Sequence, residues 1–228
     1  MYKDFIEDRI NVFLHEFEKL IIKENIPITD FLYKECDYKL DNTLPEIDES
    51  FTLFTPYINR WGGKKDKHAW FYNEITVPSH WNGEIQLAVA SDARLGWCDI
   101  NPQFIAYVDG KLQQGIDKNH REVFLTKGTH KVYLYAYSGS IHDEYVDFVT
   151  NLQLIDAKTK QLYYDIKVPF EILAFEDENS RNYFEIKKHL NRCFLIKKAF
   201  KLNAFYYSPL NGRSAIMRAL LIASVKAL

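Results

Sequence analysis

Between Trp70 and Ile155 the chain repeats one device: a short run of alternating apolar and polar residues, then a tight turn. In "WFYNEITV", Phe71, Ile75 and Val77 alternate with Tyr72, Glu74 and Thr76, and Pro78 ends the run. "EIQLAVAS" puts Ile85, Leu87 and Val89 on one face after a turn at Asn82-Gly83. "QFIAYV" leads into Asp109-Gly110, a dipeptide that tolerates positive φ and so closes a two-residue hairpin. "EVFLT" reaches the turn "KGTH", and "KVYLYAY" sets Val132, Leu134 and Ala136 opposite Tyr133, Tyr135 and Tyr137. "YVDFVTNLQLI" is a longer strand broken by "DAKTK". Short period-two runs joined by tight turns, with no βαβ alternation, predict an antiparallel sandwich.

The flanks follow a helical period. Ile6, Ile10, Phe13, Leu14, Phe17, Leu20 and Ile21 recur at three- and four-residue steps, which predicts an amphipathic helix stopped by Pro27. Its greasy face must pack on something, most cheaply the sheet that follows. From Asp30 to Ile58 the pattern loosens, with "FLYKECDYKL" readable as a strand and "DNTLPEIDES" as loop. After Pro169 the period changes again. Ser180 can cap a helix carrying Tyr183, Phe184, Ile186, Leu190, Phe194 and Leu195. "SPLNGR" breaks it, and the final "SAIMRALLIASVKAL" is helical and apolar around most of its circumference, so a docked neighbour is expected. The organisation predicted is an N-terminal helix over 1–28 packed on a sandwich over 29–168, then a helical segment over 169–228.

A chain of 228 residues can bury a proper core. Aromatics reach 15%, with 15 Tyr and 16 Phe, and these residues favour pleated, half-buried surfaces. The net charge of −2 gives no electrostatic reason to expect nucleic acid or an acidic membrane as partner. Cys36, Cys98 and Cys193 are odd in number and widely spaced, which fits neither a disulfide framework nor a zinc knuckle and suits a reducing, cytoplasmic setting. Acids inside the first apolar repeat argue against a signal peptide, and no apolar run has membrane-spanning length.

Chemistry-bearing motifs are scarce. No Gly-rich phosphate loop follows a strand, and there is no Gly-x-Ser-x-Gly elbow. Seven histidines form no His-x-x-x-His pair and none begins His-x-Asp, so a local metal motif is absent. His142-Asp143-Glu144 is a polar loop triplet. Trp61 and Trp97 sit in loops, where an indole face could stack on a sugar ring; Trp70 and Trp81 read as core or strand-edge packing. The cluster "DKNHRE" admits two readings. Asp117, Asn119, His120 and Arg121 could face a glycan or a neighbouring domain. Alternatively, Asp117 and Asn119 satisfy turn backbone while His120 and Arg121 pair with nearby acids.

The motifs also occur in a recognisable order: Trp61-Gly62-Gly63, Trp70-Phe71, Val77-Pro78, Trp81-Gly83, Val108-Asp109-Gly110, then Gln114-Gly115-Ile116-Asp117 with Asn119 and His120. In that order they resemble the N-terminal, non-catalytic region of glycoside hydrolase family 38 α-mannosidases of the cytosolic and bacterial type. "LYYDIKV" and "LNRC" extend the resemblance to about Tyr207.

The resemblance implies a mainly β fold with helical appendages, an antiparallel β-sandwich of the galactose-binding-like or jelly-roll type. It implies no catalytic residue, cofactor or metal ligand in this chain. Zinc, the Asp nucleophile and the general acid would belong to a catalytic domain that follows in the family and opens with His-x-Asp. The chain ends first, so a truncated, degenerate or frame-altered gene product is expected, inactive alone. Its partners would be that catalytic domain, a mannose-containing glycan and a further copy of itself. The competing expectation is a free-standing carbohydrate-binding module, with Trp61, Trp97, Asp117, Asn119, His120 and Arg121 as candidate contacts.

Overall fold

The structure, a computed structural model, describes residues 6–38, 43–56, 58–91, 103–117, 119–140, 143 and 145–199, the side chains of Ser91 and 193–199 excepted. Trp97 and the "SAIMRALLIASVKAL" segment lie outside the described residues. The chain forms two compact units, Lys23–Ile155 and a helical unit made from Met1–Ile22 with Asp156–Leu228.

The first unit is the sandwich. Its strands are β1 (Ile22–Pro27), β2 (Phe31–Cys36), β3 (Thr52–Phe54), β4 (Trp61–Gly62), β5 (His68–Thr76), β6 (Glu84–Ser91), β7 (Gln103–Val108), β8 (Lys111–Ile116), β9 (Glu122–Leu125), β10 (Thr129–Tyr137), β11 (Tyr145–Val146) and β12 (Phe148–Ile155). Six form one sheet in the order β3-β2-β5-β10-β7-β8, four form another in the order β1-β12-β6-β9, and β11 pairs with β4. β10 lies antiparallel between β5 and β7, with Tyr137 opposite both His68 and Gln103.

Alternation dictates what each face holds. The inner layer gathers Phe31, Phe54, Phe71, Ile75, Phe104 and Leu134 from the larger sheet against Leu87, Val89, Phe148 and Leu152 from the smaller. Phe71 is fully buried, with its ring 4.9 Å from Phe54 and 4.9 Å from Phe148. Each such Phe contributes about 1.5–3 kcal/mol by leaving water.

The outer face of the larger sheet is aromatic too, but in tyrosine and tryptophan. Trp70, Tyr107 and Tyr135 pack with Phe51, and Leu44 and Ile47 of the preceding loop lie against them. The high aromatic content therefore fills two layers, phenylalanine within and hydroxyl-bearing rings without. Tyrosine suits the outer layer because its hydroxyl needs water or a polar partner.

The Asp109-Gly110 turn forms as expected, both residues having positive φ (52° and 80°). Beyond it, Ala106 pairs with Gln114 but Tyr107 pairs with Leu112, so β8 carries one extra residue in a bulge.

Three sequence expectations need correction. The N-terminal helix α1 (Ile6–Glu18) ends well before Pro27, which instead closes the edge strand β1, where a missing N–H is tolerated. The face of α1 expected to pack on the sheet is covered by helices: Ile10, Phe13, Leu14 and Phe17 cluster with Leu162, Tyr163, Ile166, Leu173, Tyr183 and Leu190. Finally, the sandwich stops at Ile155 and not at 168. Asp156 accepts the Thr159 N–H at 3.0 Å and caps helix α2 (Ala157–Ile172), which runs through Pro169. A short 3₁₀ turn, Leu173–Phe175, leads toward α3 (Arg181–Ala199). Ser180 does cap α3, its hydroxyl accepting the Tyr183 N–H at 3.1 Å.

Candidate functional site

A depression of about 770 Å³ opens on the outer side of the larger sheet, where β5 starts and β10 ends. Its near wall is a row of rings. Strand pairing sets Tyr137 opposite His68, and their rings stack 5.0 Å apart. Tyr135 stacks on His68 at 5.5 Å, with its hydroxyl 3.0 Å from Nδ1. The exposed Tyr38 leans on the same imidazole, 5.3 Å away. Burial holds His68 below the ordinary histidine value, against the pull of Asp66, so the ring is neutral at physiological pH.

Asp66 enters from a turn and has φ of 55°, a left-handed conformation that Asp and Asn tolerate best among side-chain-bearing residues. Ser138 locks that turn: its hydroxyl accepts the Lys67 N–H at 3.0 Å and donates to the Lys64 carbonyl at 3.0 Å. The Asp66 carboxylate accepts the Tyr137 hydroxyl at 2.5 Å, and this bond raises the tyrosine's pKa.

The far wall comes from Gln103 and Ile105 of β7, Gly115 at the end of β8, and the turn that follows. Gly115 matters for what it lacks. A Cβ there would meet only the Phe104 carbonyl, at 3.9 Å, so the open space is not required by backbone crowding. In the turn, Asp117 Oδ1 accepts the Asn119 N–H at 2.7 Å and the His120 N–H at 2.8 Å, and lies 3.1 Å from His120 Nδ1. These two N–H groups, with the imidazole, hold the Asp117 carboxyl below the usual carboxylate range. All three contacts fall on one oxygen, so Oδ2 is the atom a ligand could engage.

The expected residues divide. Asp117 and His120 line the depression, and Asp117 satisfies turn backbone as the second reading of "DKNHRE" expects. Asn119 and Arg121 do not line it; Arg121 uses its carbonyl to accept the Val89 N–H at 2.8 Å. Trp61 is no exposed stacking platform. It belongs to a short strand, is 1% exposed, and packs in the inner core 5.6 Å from Phe71. Trp70 and Trp81 are buried, as their positions predicted. Trp97, His142 and Glu144 lie outside the described residues.

Tyr38, Asp66, His68, Gln103, Tyr135 and Tyr137 are the lining residues that no sequence motif marks as a site. The outward row of Tyr133, Tyr135 and Tyr137 was visible as alternation. Its juxtaposition with Asp66 and His68 depends on β5 pairing with β10, which are separated by four intervening strands. Among the described residues, no group of three or more His, Cys, Asp or Glu could hold one metal ion, and no helix is long and apolar enough to cross a membrane.

No family model matches the sequence, and no curated protein matches it. Partial likenesses to solved structures exist. A β-glucuronidase from an uncultured Clostridium species has 9% identity and a TM-score of 0.41, over 59% of this chain and 30% of that one. A β-glucuronidase from Ruminococcus gnavus, in complex with an N1-substituted uronic isofagomine, has 10% identity and a TM-score of 0.38, over 58% and 30%. The CBM51-2 and INT domains of ZmpB from Clostridium perfringens have 11% identity and a TM-score of 0.24, over 64% and 38%. The chain thus spans well under half the length of these structures, and identity and TM-score this low carry no functional weight.

Proposed function

We propose that this chain is a non-catalytic, carbohydrate-binding sandwich that accompanies a glycoside-processing enzyme, and that it takes sugar rings in the depression between Tyr137 and Asp117. The observation carrying this reading is the mixed wall. Stacked His68 and Tyr137 and the exposed Tyr38 present apolar ring surface, while Asp66, Gln103 and Asp117 supply hydrogen-bond partners for hydroxyls. Small-molecule sites have this character, mostly apolar with few convergent polar groups, and the volume of about 770 Å³ falls within their usual range.

The narrower version makes the companion an α-mannosidase of glycoside hydrolase family 38. Its support is the ordered motif series from Trp61 to His120. On that version zinc and the catalytic carboxylates belong to the companion domain, and this chain contributes glycan contact.

Amide and ring resonances of the labelled chain, titrated with neutral monosaccharides and manno-oligosaccharides, test the reading. Shifts concentrated at His68, His120 and Tyr137 are expected. Silence at those residues across the whole panel would end it. Preference for mannosides over other hexosides is expected on the narrower version alone.

A further inference from the structure

Among the described residues lining the depression, the carboxylates of Asp66 and Asp117 have no Lys or Arg beside them. Of its two histidines, His68 is the more enclosed and lies between stacked tyrosine rings; His120 is 70% exposed at its side chain and lies against Asp117. Tyr38 and Tyr137 line the depression too, and an aromatic ring face attracts cations. A concave site lined by charges of one sign concentrates ligands of the opposite sign. Uronic acids and sulfated or sialylated sugars meet two carboxylates and, among the described lining residues, no Lys or Arg. A protonated amine meets both carboxylates and the ring faces.

We infer that the depression selects sugars carrying a free, protonated amine, such as 2-amino-2-deoxyhexosides, over neutral and anionic ones. This rests on the carbohydrate-binding reading above and adds the chemical class of the ligand. The anchors are the Asp66 carboxylate, fixed by the Tyr137 hydroxyl, and Oδ2 of Asp117, whose Oδ1 is committed to its turn. An N-acetylated counterpart has lost the charge and is treated as neutral.

The test is titration calorimetry of the full chain at about pH 7, above the ordinary histidine value. Methyl glucosaminide, glucoside, N-acetylglucosaminide and glucuronide serve as probes at low salt. The glucosaminide is expected to bind about tenfold tighter than the two neutral sugars, equivalent to about 1.4 kcal/mol, with the glucuronide weakest. The double variant Asp66→Asn, Asp117→Asn removes both charges with little threat to folding. Asn tolerates the left-handed backbone at 66, and its side-chain oxygen can still accept the turn N–H groups at 117. In that variant the advantage of the glucosaminide should collapse to about twofold or less.

Equal binding of the neutral and amino sugars, or an advantage that survives the double variant, overturns the inference and leaves the carbohydrate-binding reading intact. Failure of all four probes, extended to manno-oligosaccharides, overturns both.

Discussion

His130 meets an acceptor at each ring nitrogen. Nδ1 is 2.7 Å from Asp109 Oδ2, and Nε2 is 2.9 Å from the Thr126 carbonyl. Only the imidazolium can donate to both. Burial works to lower the histidine's pKa, but the hydrogen bonds to Asp109 and Thr126 outweigh it and the value ends raised. Asp109 moves the other way, lowered first by His130 and then by the Lys131 N–H. The signs follow from linkage. A raised folded-state histidine contributes stability below its unfolded value, near 6.5, and that contribution is lost as pH climbs through the folded value. The Asp109 contribution is present above the ordinary carboxylate range and lost on acidification. The Thr126 hydroxyl, 3.3 Å from Nε2, can donate to the neutral ring and recovers part of the loss. Thermal melting from about pH 6 to 9 should therefore show a decline of about 1–2 kcal/mol that is missing in His130→Gln. Parallel profiles for the two proteins would refute the clamp.

The same scale explains why one tryptophan misled. Gly62-Gly63 beside Trp61 reads as loop, and both glycines do have positive φ, yet Trp61 pairs opposite Val146 and faces inward. Among the described residues its Nε1 is buried with no hydrogen-bond partner, whereas Trp81 Nε1 donates to Glu24 at 2.9 Å. Trp→Phe removes the same atoms at both sites. At 61 it also removes a donor unsatisfied among the described residues; at 81 it strips a carboxylate of its 2.9 Å hydrogen bond. Trp61→Phe should cost less stability than Trp81→Phe by about 1–3 kcal/mol in denaturant titrations, and the reverse order would show that Trp61 has a partner in solution.

At the level of elements, strands with one buried face could be read off directly, because a period of two has no helical counterpart and Asp109-Gly110 closes only one kind of turn. The bulge in β8 could not, since nothing in "KLQQGI" announces which residue goes unpaired. Helix α2 was hidden differently. Its buried positions Thr159, Leu162, Tyr163 and Ile166 have helical spacing, but Pro169 draws the eye to a break. A proline ring removes one donor and clashes with the carbonyl four residues back, yet α2 continues for three residues beyond it. The start of the helix carries the strongest sequence signal: Asp156, 6% exposed, accepts the Thr159 N–H. Asp156→Ala should lower stability by about 1–2 kcal/mol, the upper end of the cap range because the site is buried, as read by chemical unfolding. A loss within about 0.5 kcal/mol, the usual range for a surface substitution, would mean that the cap is not what starts α2.

For the whole molecule, the sandwich assigns different work to the two faces of one sheet. The inward side chains of β5 and β10 hold the layers together, and the outward ones at the same end build the depression. This is also why the site was only half visible beforehand. Asp117 and His120 are neighbours in sequence, but Asp66, His68 and Tyr137 meet them through pairings across seventy residues, which alternation alone cannot assign. Residues on the two faces of this sheet should therefore separate stability from binding. Phe71→Ala empties the centre of the inner aromatic cluster and should cost about 3–5 kcal/mol, while sugar affinity per folded molecule stays unchanged. Gly115→Leu fills the depression from a position with open space and ordinary φ, so melting should hold within about 0.5 kcal/mol of the parent while sugar binding disappears. Equilibrium unfolding and sugar titration on both variants give four readings. If Gly115→Leu binds as well as the parent, the ligand does not enter this depression. If Phe71→Ala loses affinity in step with stability, the two faces are not independent and the division of labour fails.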